Sequence, residues 1–283
     1  MIVPVLQDEA LLRDIAAAGG PGFRLWWLGQ SGFLLQWQGR HLLLDPYLSD
    51  ALTVKYAGTD RPHVRMTERA MAPEALAFVD AVTCSHNHTD HLDAETLLPL
   101  LRARPGLPLV IPEANRAFVA ARLGDGGTRI GLDDGTAAEV AGFTLHGVAS
   151  AHEQVERDEA GRCRCLGYVV RFGPWTVYHS GDTLCYPGLA ERLRPFRPDV
   201  VLLPINGRAL QRGVAGNLDG PEAAALAAAA GARLAIPCHY EMFEFNTASP
   251  GAFAAAAARL GQPHRILRCG ERWSSEELPD GRR

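Results

Sequence analysis

Five stretches of this chain run through apolar residues and stop on a histidine or an aspartate: "HLLLD" at Asp45, "DAVTCSH" at His86, "GVASAH" at His152, "TVYHSGD" at Asp182 and "LAIPCH" at His239. Strands that read as continuous apolar runs are buried on both faces, which requires helices over each exposed sheet surface. In such α/β assemblies, functional groups collect where strands end. The repeated ending on a titratable residue therefore constrains both the architecture and the position of a site.

The rest of the chain fits that architecture. "FRLWWLGQSGFLLQWQGRHLLLDPYL" reads as three strands punctuated by Gly29, Gly32 and Gly39. Its second half, "GFLLQWQGRHLLLD", has the same order as "GYVVRFGPWTVYHSGD" further on: glycine, strand, tight turn, strand, aspartate. We expect one domain over 1–283, internally duplicated in pattern. "LPLVIP", "PDVVLLPI" and "ARLAIPCH" are further strands, while "DAETLLPLLRAR", "EANRAFVAARLG", "GPEAAALAAAAGA" and "PGAFAAAAARLG" are helical, with Gly or Pro near their ends. The first twenty residues read as an amphipathic helix; they lack the charged and apolar regions of a signal peptide, so a cytoplasmic location is expected. Trp26 and Trp27 read as packing residues.

The chain contains ten histidines, and three of them fall in "VTCSHNHTDHLDAE", interleaved with Asp90 and Asp93. A solvated polar loop accounts for the composition but not for the spacing. In an extended segment, residues two apart face the same way, so His86 and His88 can grip one ion. If the chain turns just afterwards, Asp90 and His91 face a second. His152, Asp182 and His239 are the remaining candidates, against plainer readings as hydrogen-bonded core histidines and, for Asp182, a helix cap. Neutral imidazole and carboxylate suit manganese, zinc or iron without choosing among them. His179 reads as a packing or supporting residue, and Asp45 as either a turn former or an acceptor for the N–H of a ligating imidazole. The close pair Cys163 and Cys165 reads as two strand thiols, and the six cysteines as reduced.

Composition narrows the partners. A net charge of -4 offers no basic field for nucleic acid, and no apolar run of about eighteen residues is present to span a bilayer. The polar loop over 46–72, read from "DPYLSDALTVKYAGTDRPHVRMTERAM" (residues 45–71), and "NGRALQRG" should set specificity for a small anionic substrate. Lys55, the only lysine, and Arg61, Arg65, Arg208 and Arg212 supply the cations, and arginine forks match phosphate or carboxylate oxygens. Asn206 and Arg208 are the leading candidates for substrate contact.

The combination of His-x-His-x-Asp-His, a distant His, a Gly-Asp after one strand and a final His after another resembles the metallo-β-lactamase superfamily. That resemblance spans "LGQSGFLL" to "CHYEMF" and implies an α/β fold, an αββα sandwich of two mixed β-sheets flanked by helices. It implies two divalent metal ions: His86, His88 and His152 on the first, Asp90, His91 and His239 on the second, and Asp182 bridging both. Asp90 and Asp182 are then the catalytic carboxylates. The stretches "WWLGQSGFLL", "LLLDPYLSD", "VYHSGDT" and "CHYEMFEFN" look most like the ascorbate-6-phosphate lactonase group, although "PINGRALQRGVAGN" departs from that group's Tyr-Gly-Glu-Asn-Pro-Arg-Gly segment. The expected activity is hydrolysis of a phosphorylated sugar lactone or another small anionic lactone. A phosphodiesterase acting on a small anionic ester is the alternative within the same chemistry, and a non-catalytic metal-binding regulator is the alternative outside it. An Ala-rich helix packed on its own copy would make a homo-oligomer.

Overall fold

The computed structural model describes residues 1–209, 212–213 and 216–279. Residues 210, 211, 214 and 215, in the "NGRALQRGVAGN" segment expected to shape specificity, and 280–283 lie outside the described residues. The strands of the first half are β1 (Phe23–Gly29), β2 (Gly32–Trp37), β3 (Arg40–Leu44), β4 (Ala81–Thr83), β5 (Leu109–Pro112) and β6 (Arg129–Leu132). Those that follow are β7 (Ala137–Val140), β8 (Phe143–Ala149), β9 (Leu166–Phe172), β10 (Trp175–His179), β11 (Val200–Pro204), β12 (Leu234–Cys238) and β13 (Arg272–Ser274). The helices are α1 (Asp8–Ala17), α2 (Ala51–Tyr56), α3 (Ala94–Ala103), α4 (Arg116–Leu123), α5 (Leu189–Leu193), α6 (Gly220–Ala230) and α7 (Gly251–Leu260). None of them is long and apolar enough to cross a membrane.

Two sheets result, ordered β13-β1-β2-β3-β4-β5-β6 and β12-β11-β10-β9-β8-β7. Both are mixed. The β2–β3 hairpin is antiparallel and passes to parallel β4, β5 and β6. The β9–β10 hairpin is likewise antiparallel and passes to parallel β11 and β12. These are the two hairpins with matching sequence order.

Alternation along the strands sorts the core into layers. Phe23, Leu25, Trp27, Phe33, Leu35, Leu42 and Leu44 face the second sheet and pack with Leu145, Tyr168 and Val170. Their neighbours Trp26, Leu28, Leu34, Leu43 and Val82 face outward onto Leu11 and Ile15 of α1, Leu97 and Leu100 of α3 and Val119 of α4. On the far side, α6 lays Ala223, Ala224 and Ala227 into the core beside β11 and β12, with α7 packed against it. This is the expected αββα sandwich. Full burial of each large aliphatic side chain contributes about 1.5–3 kcal/mol, which makes these layers the main source of stability.

Several local expectations change. The N-terminal helix is confined to Asp8–Ala17, because the preceding residues run extended and Ile2 bridges to Thr67. The Cys163–Cys165 pair precedes β9 instead of lying within a strand, and both thiols are free and buried. Burial pushes their pKa values up to about 11 and about 12. The small-residue face of α6 lies inside the chain's own core.

Candidate metal centre

The candidate ligands converge because strands of the same direction end on one side. His86, His88, Asp90 and His91 follow β4, His152 follows β8, Asp182 follows β10 and His239 follows β12. The first sheet thus supplies four side chains from one loop, and the second supplies three from three strand ends. The loop after β4 turns sharply because Asp93 caps α3, accepting from the Glu95 N–H at 3.1 Å. Asp93 is therefore part of the turn and not of the cluster. On the opposite side Gly181 has φ +57°, and a Cβ there would lie 2.6 Å from the Ser85 Cβ. Only glycine lets the β10 turn come so close to the β4 loop and carry Asp182 across.

The seven side chains form two adjoining groups, His86 with His88 and His152, and Asp90 with His91, Asp182 and His239. Within each group the potential ligand atoms all lie within 4.8 Å of one another. Asp182 reaches both groups: Oδ1 lies 3.2 Å from His91 Nε2, while Oδ2 lies 3.3 Å from His239 Nε2 and 3.7 Å from His152 Nε2. His86 Nε2 is buried with no hydrogen-bond partner, and His91 Nε2 and Asp182 Oδ1 face each other, at 3.2 Å. Unpaired buried polar atoms are costly, so these groups fit cations that would satisfy them. The donor set is imidazole and carboxylate with no thiolate, which suits zinc, manganese or iron.

Each ring is aimed by what holds its far side. Asp45 is fully buried at φ +39° and accepts from His91 Nδ1 at 2.7 Å and from the Ser85 N–H at 3.0 Å. That leaves His91 Nε2 toward the cluster, so of the two readings of Asp45 the acceptor is the one the structure displays. His152 Nδ1 donates to the Gly216 carbonyl at 3.0 Å, directing Nε2 inward. His179 has Nε2 on the Ser31 carbonyl at 2.8 Å and Nδ1 accepting from the Gly181 N–H at 3.3 Å, so both nitrogens are occupied outside the cluster.

One contributor was missed. Gln30, in the β1–β2 turn, donates from Nε2 to Asp90 Oδ2 at 2.8 Å and sits 3.1 Å from His239 Nε2. Gln30 and His239 both have left-handed backbone, at φ +49° and +62°, and the His239 N–H donates to the Gln30 carbonyl at 2.9 Å. Such conformations cost on the order of 1–3 kcal/mol each and persist where surrounding structure enforces them. The signal in sequence was Gln30 between Gly29 and Gly32, a turn without an obvious need for a buried amide.

Electrostatics divide the two groups. Burial, with the neighbouring His91 imidazole, holds His86 well below the usual histidine range, and burial lowers His88 as well. Burial opposes charge on His91 and His239 too, but Asp182 and Asp90 outweigh it, raising His91 well above its ordinary value and His239 to about 9. Burial works against ionisation of Asp90 and Asp182, yet the facing imidazoles hold both carboxyls far below the carboxylate range. The second group is thus an interlocked set of carboxylates and protonated rings.

A cavity of about 700 Å³ opens onto His88, Asp90, His152, Asp182 and His239. Of the expected substrate residues, Lys55 and Asn206 line it, as does Arg61. Arg208 and Arg212 are not among the lining residues. The Arg208 Nη pair is engaged end-on by Glu222, with Nη–Oε distances of 2.8 and 2.6 Å. Arg212 donates to the Asn206 carbonyl and to Asn246 Oδ1, so it supports Asn206 from behind.

The model of the beta-lactamase superfamily domain matches residues 24–239. A UPF0173 metal-dependent hydrolase of Opitutus terrae is 33% identical over 254 residues, covering 88% of this chain and 98% of its own length. Another from Xanthobacter autotrophicus is 28% identical over 243 residues, covering 83% and 90%. Among solved structures, a possible metal-dependent hydrolase from Veillonella parvula shares the fold with TM-score 0.72 at 18% identity, covering 90% of this chain and 100% of that one.

Proposed function

The chain belongs to the beta-lactamase superfamily and is a metal-dependent hydrolase, and from that premise we propose that it opens a small anionic lactone, phosphorylated sugar lactones being the first class to test. The observation that carries this reading is the pair of adjoining ligand groups at the floor of one cavity. We assign His86, His88 and His152 to one divalent ion, Asp90, His91 and His239 to a second, and Asp182 to both. When bound, such a pair supplies Lewis acidity and makes water nucleophilic near neutral pH.

The chain's own groups do the rest. Asp90 stays ionised and orients the attacking water by accepting its hydrogen bond; Gln30 fixes the carboxylate by donating to Oδ2 at 2.8 Å. Asp182, 3% exposed, presents one carboxylate to both groups. Neither step needs a serine or cysteine nucleophile. Lys55 and Arg61 at the cavity wall attract an anion, taking the part first given to Arg208. The same cations suit a phosphodiester, which makes that the second reading. The match to metal-dependent hydrolases argues against a non-catalytic regulator.

Protein stripped of metal and reconstituted with manganese or zinc should hold about two ions per chain and hydrolyse lactones. Turnover of bis-4-nitrophenyl phosphate without lactone hydrolysis would favour the second reading. Only trace metal after reconstitution, with no turnover of either, would overturn both.

A further inference from the structure

The cavity wall carries more information than its charge. Tyr56, at the end of α2, stacks on His63 with ring centroids 4.3 Å apart and planes 19° apart. His63 in turn meets Phe243 edge-on at 5.1 Å and Phe245 at 4.5 Å, and all four rings line the cavity. Phe118, 40% exposed, lines it as well, with the Arg122 guanidinium 4.5 Å from its ring centroid. Rings offering both faces and edges complement another aromatic ring, which prefers offset or edge-to-face contact.

Three of the amides lining the same cavity are chained together: Asn217 Nδ2 donates to Asn206 Oδ1 at 3.0 Å, and Asn206 Nδ2 donates to Asn246 Oδ1 at 3.0 Å. The Asn87 and Asn217 side-chain oxygens have no such partner. Lys55 lies 5.0 Å from the Tyr56 ring centroid, so a positive charge stands at the edge of the aromatic wall.

Resting on the hydrolytic reading above, the geometry points to an aryl ester or aryl-fused lactone bearing an anionic group as the substrate class, with the ring against Tyr56, His63 and Phe245 and the anion beside Lys55 and Arg61. The reaction is ordinary ester hydrolysis. A bond forms between the water oxygen and the acyl carbon, the bond from acyl carbon to aryl oxygen breaks, and the water's protons are shared between the released phenol and the medium.

Three acetates that share one acyl group test this with metal-reconstituted full-length protein: ethyl acetate, phenyl acetate and 4-acetoxybenzoate. Each kcat/KM is divided by the ester's own rate with hydroxide, which removes leaving-group reactivity. The normalised values should rise about tenfold from ethyl to phenyl and several-fold again to the carboxylated ester. Phe245→Ala should collapse the first ratio at least fivefold, and Phe245→Leu, which restores apolar bulk without a ring, should not recover it. Lys55→Ala should collapse the second ratio alone. Calorimetric binding gives a readout independent of turnover: 4-hydroxybenzoate should bind at least tenfold more tightly than cyclohexanecarboxylate, and Phe245→Ala should abolish that preference. Equal normalised rates for all three esters would overturn the substrate class while leaving the hydrolytic reading intact. If neither esters nor lactones are turned over, the hydrolytic reading fails, and the two carboxylates still decide whether the wall selects a ring: equal binding would overturn the inference.

Discussion

His239 and His91 make the site's metal binding a proton exchange. In the metal-free protein Asp182 and Asp90 raise His239 to about 9 and His91 well above its ordinary value, so both rings are protonated at neutral pH. A metal takes only the neutral ring. Filling the second group should therefore release about two protons per chain near pH 7. Titration calorimetry in buffers of different ionisation enthalpy would count them, and the apparent affinity should climb between pH 6 and pH 9. Stability of the metal-free protein should move the other way. The raised His239 contributes stability fully below its ordinary value of 6.5, and that contribution is lost as pH rises toward 9. The melting temperature of the metal-free form should fall across that window; a rise would show that the carboxylates do not hold these rings charged. Such coupling was invisible in sequence, although the cluster itself was not, because His-x-His-x-Asp-His fixes its reach by chain geometry alone. What Arg208 pairs with was hidden for the opposite reason. Its partner Glu222 stands fourteen positions on, at the start of α6, where Glu222 also completes a capping box with Asp219.

Among the elements, α6 shows what an Ala-rich helix is for here. Asp219 accepts from the Glu222 N–H at 2.8 Å, Gly231 ends the helix at φ +73°, and the alanines between let it sit close to both β11–β12 and α7. At Gly220 an added Cβ would lie 2.6 Å from the Phe253 backbone N and 3.0 Å from its Cα. Replacing glycine by alanine within a helix gains about 0.5–1 kcal/mol of backbone entropy, but overpacking against main chain costs about 1–3 kcal/mol. The clash should win. With a net cost of about 1–2 kcal/mol, Gly220→Ala should lower the melting temperature by about 2–8 °C, at about 2–4 °C per kcal/mol. An unchanged value would mean that α7 simply moves aside. Strands with continuous apolar runs, such as β11 and β12, were legible because both their faces are buried. The edge strand β7 was not, since its Ala137–Val140 sequence is half exposed and carries no pattern that a loop would lack. The aromatic wall was equally hidden: Tyr56 and His63 come from one segment and Phe243 and Phe245 from another. No local periodicity joins segments so far apart in sequence.

At the scale of the molecule, the cluster joins two sheets held together by an apolar core and a few hydrogen bonds, such as His179 to the Ser31 carbonyl and Tyr168 to the Cys84 carbonyl. Four ligand candidates belong to the loop after β4 in the first sheet, and His152, Asp182 and His239 belong to the second. An ion held by both groups binds only the folded arrangement, so it should stabilise the fold by mass action, about 2.7 kcal/mol at a hundredfold excess over its dissociation constant. At about 2–4 °C per kcal/mol that predicts a melting temperature about 5–11 °C higher for metal-loaded than for chelator-treated protein. The metal-free form should nevertheless keep its full helix and strand content, because the core between the sheets and the layer under α1, α3 and α4 contain no cluster residue. Asp182→Ala separates the site from the scaffold. The substitution removes the one carboxylate that reaches both groups, and His91 and His239 can shed their protons once it is gone, so the apolar layers lose nothing. Metal should then raise the melting temperature by less than half as much as in the wild type, while turnover falls at least a hundredfold and folded yield changes little. Equal loss of yield and turnover would show that Asp182 is needed to build the fold; an equal metal-induced shift in both proteins would show that the ions bind somewhere other than between the sheets.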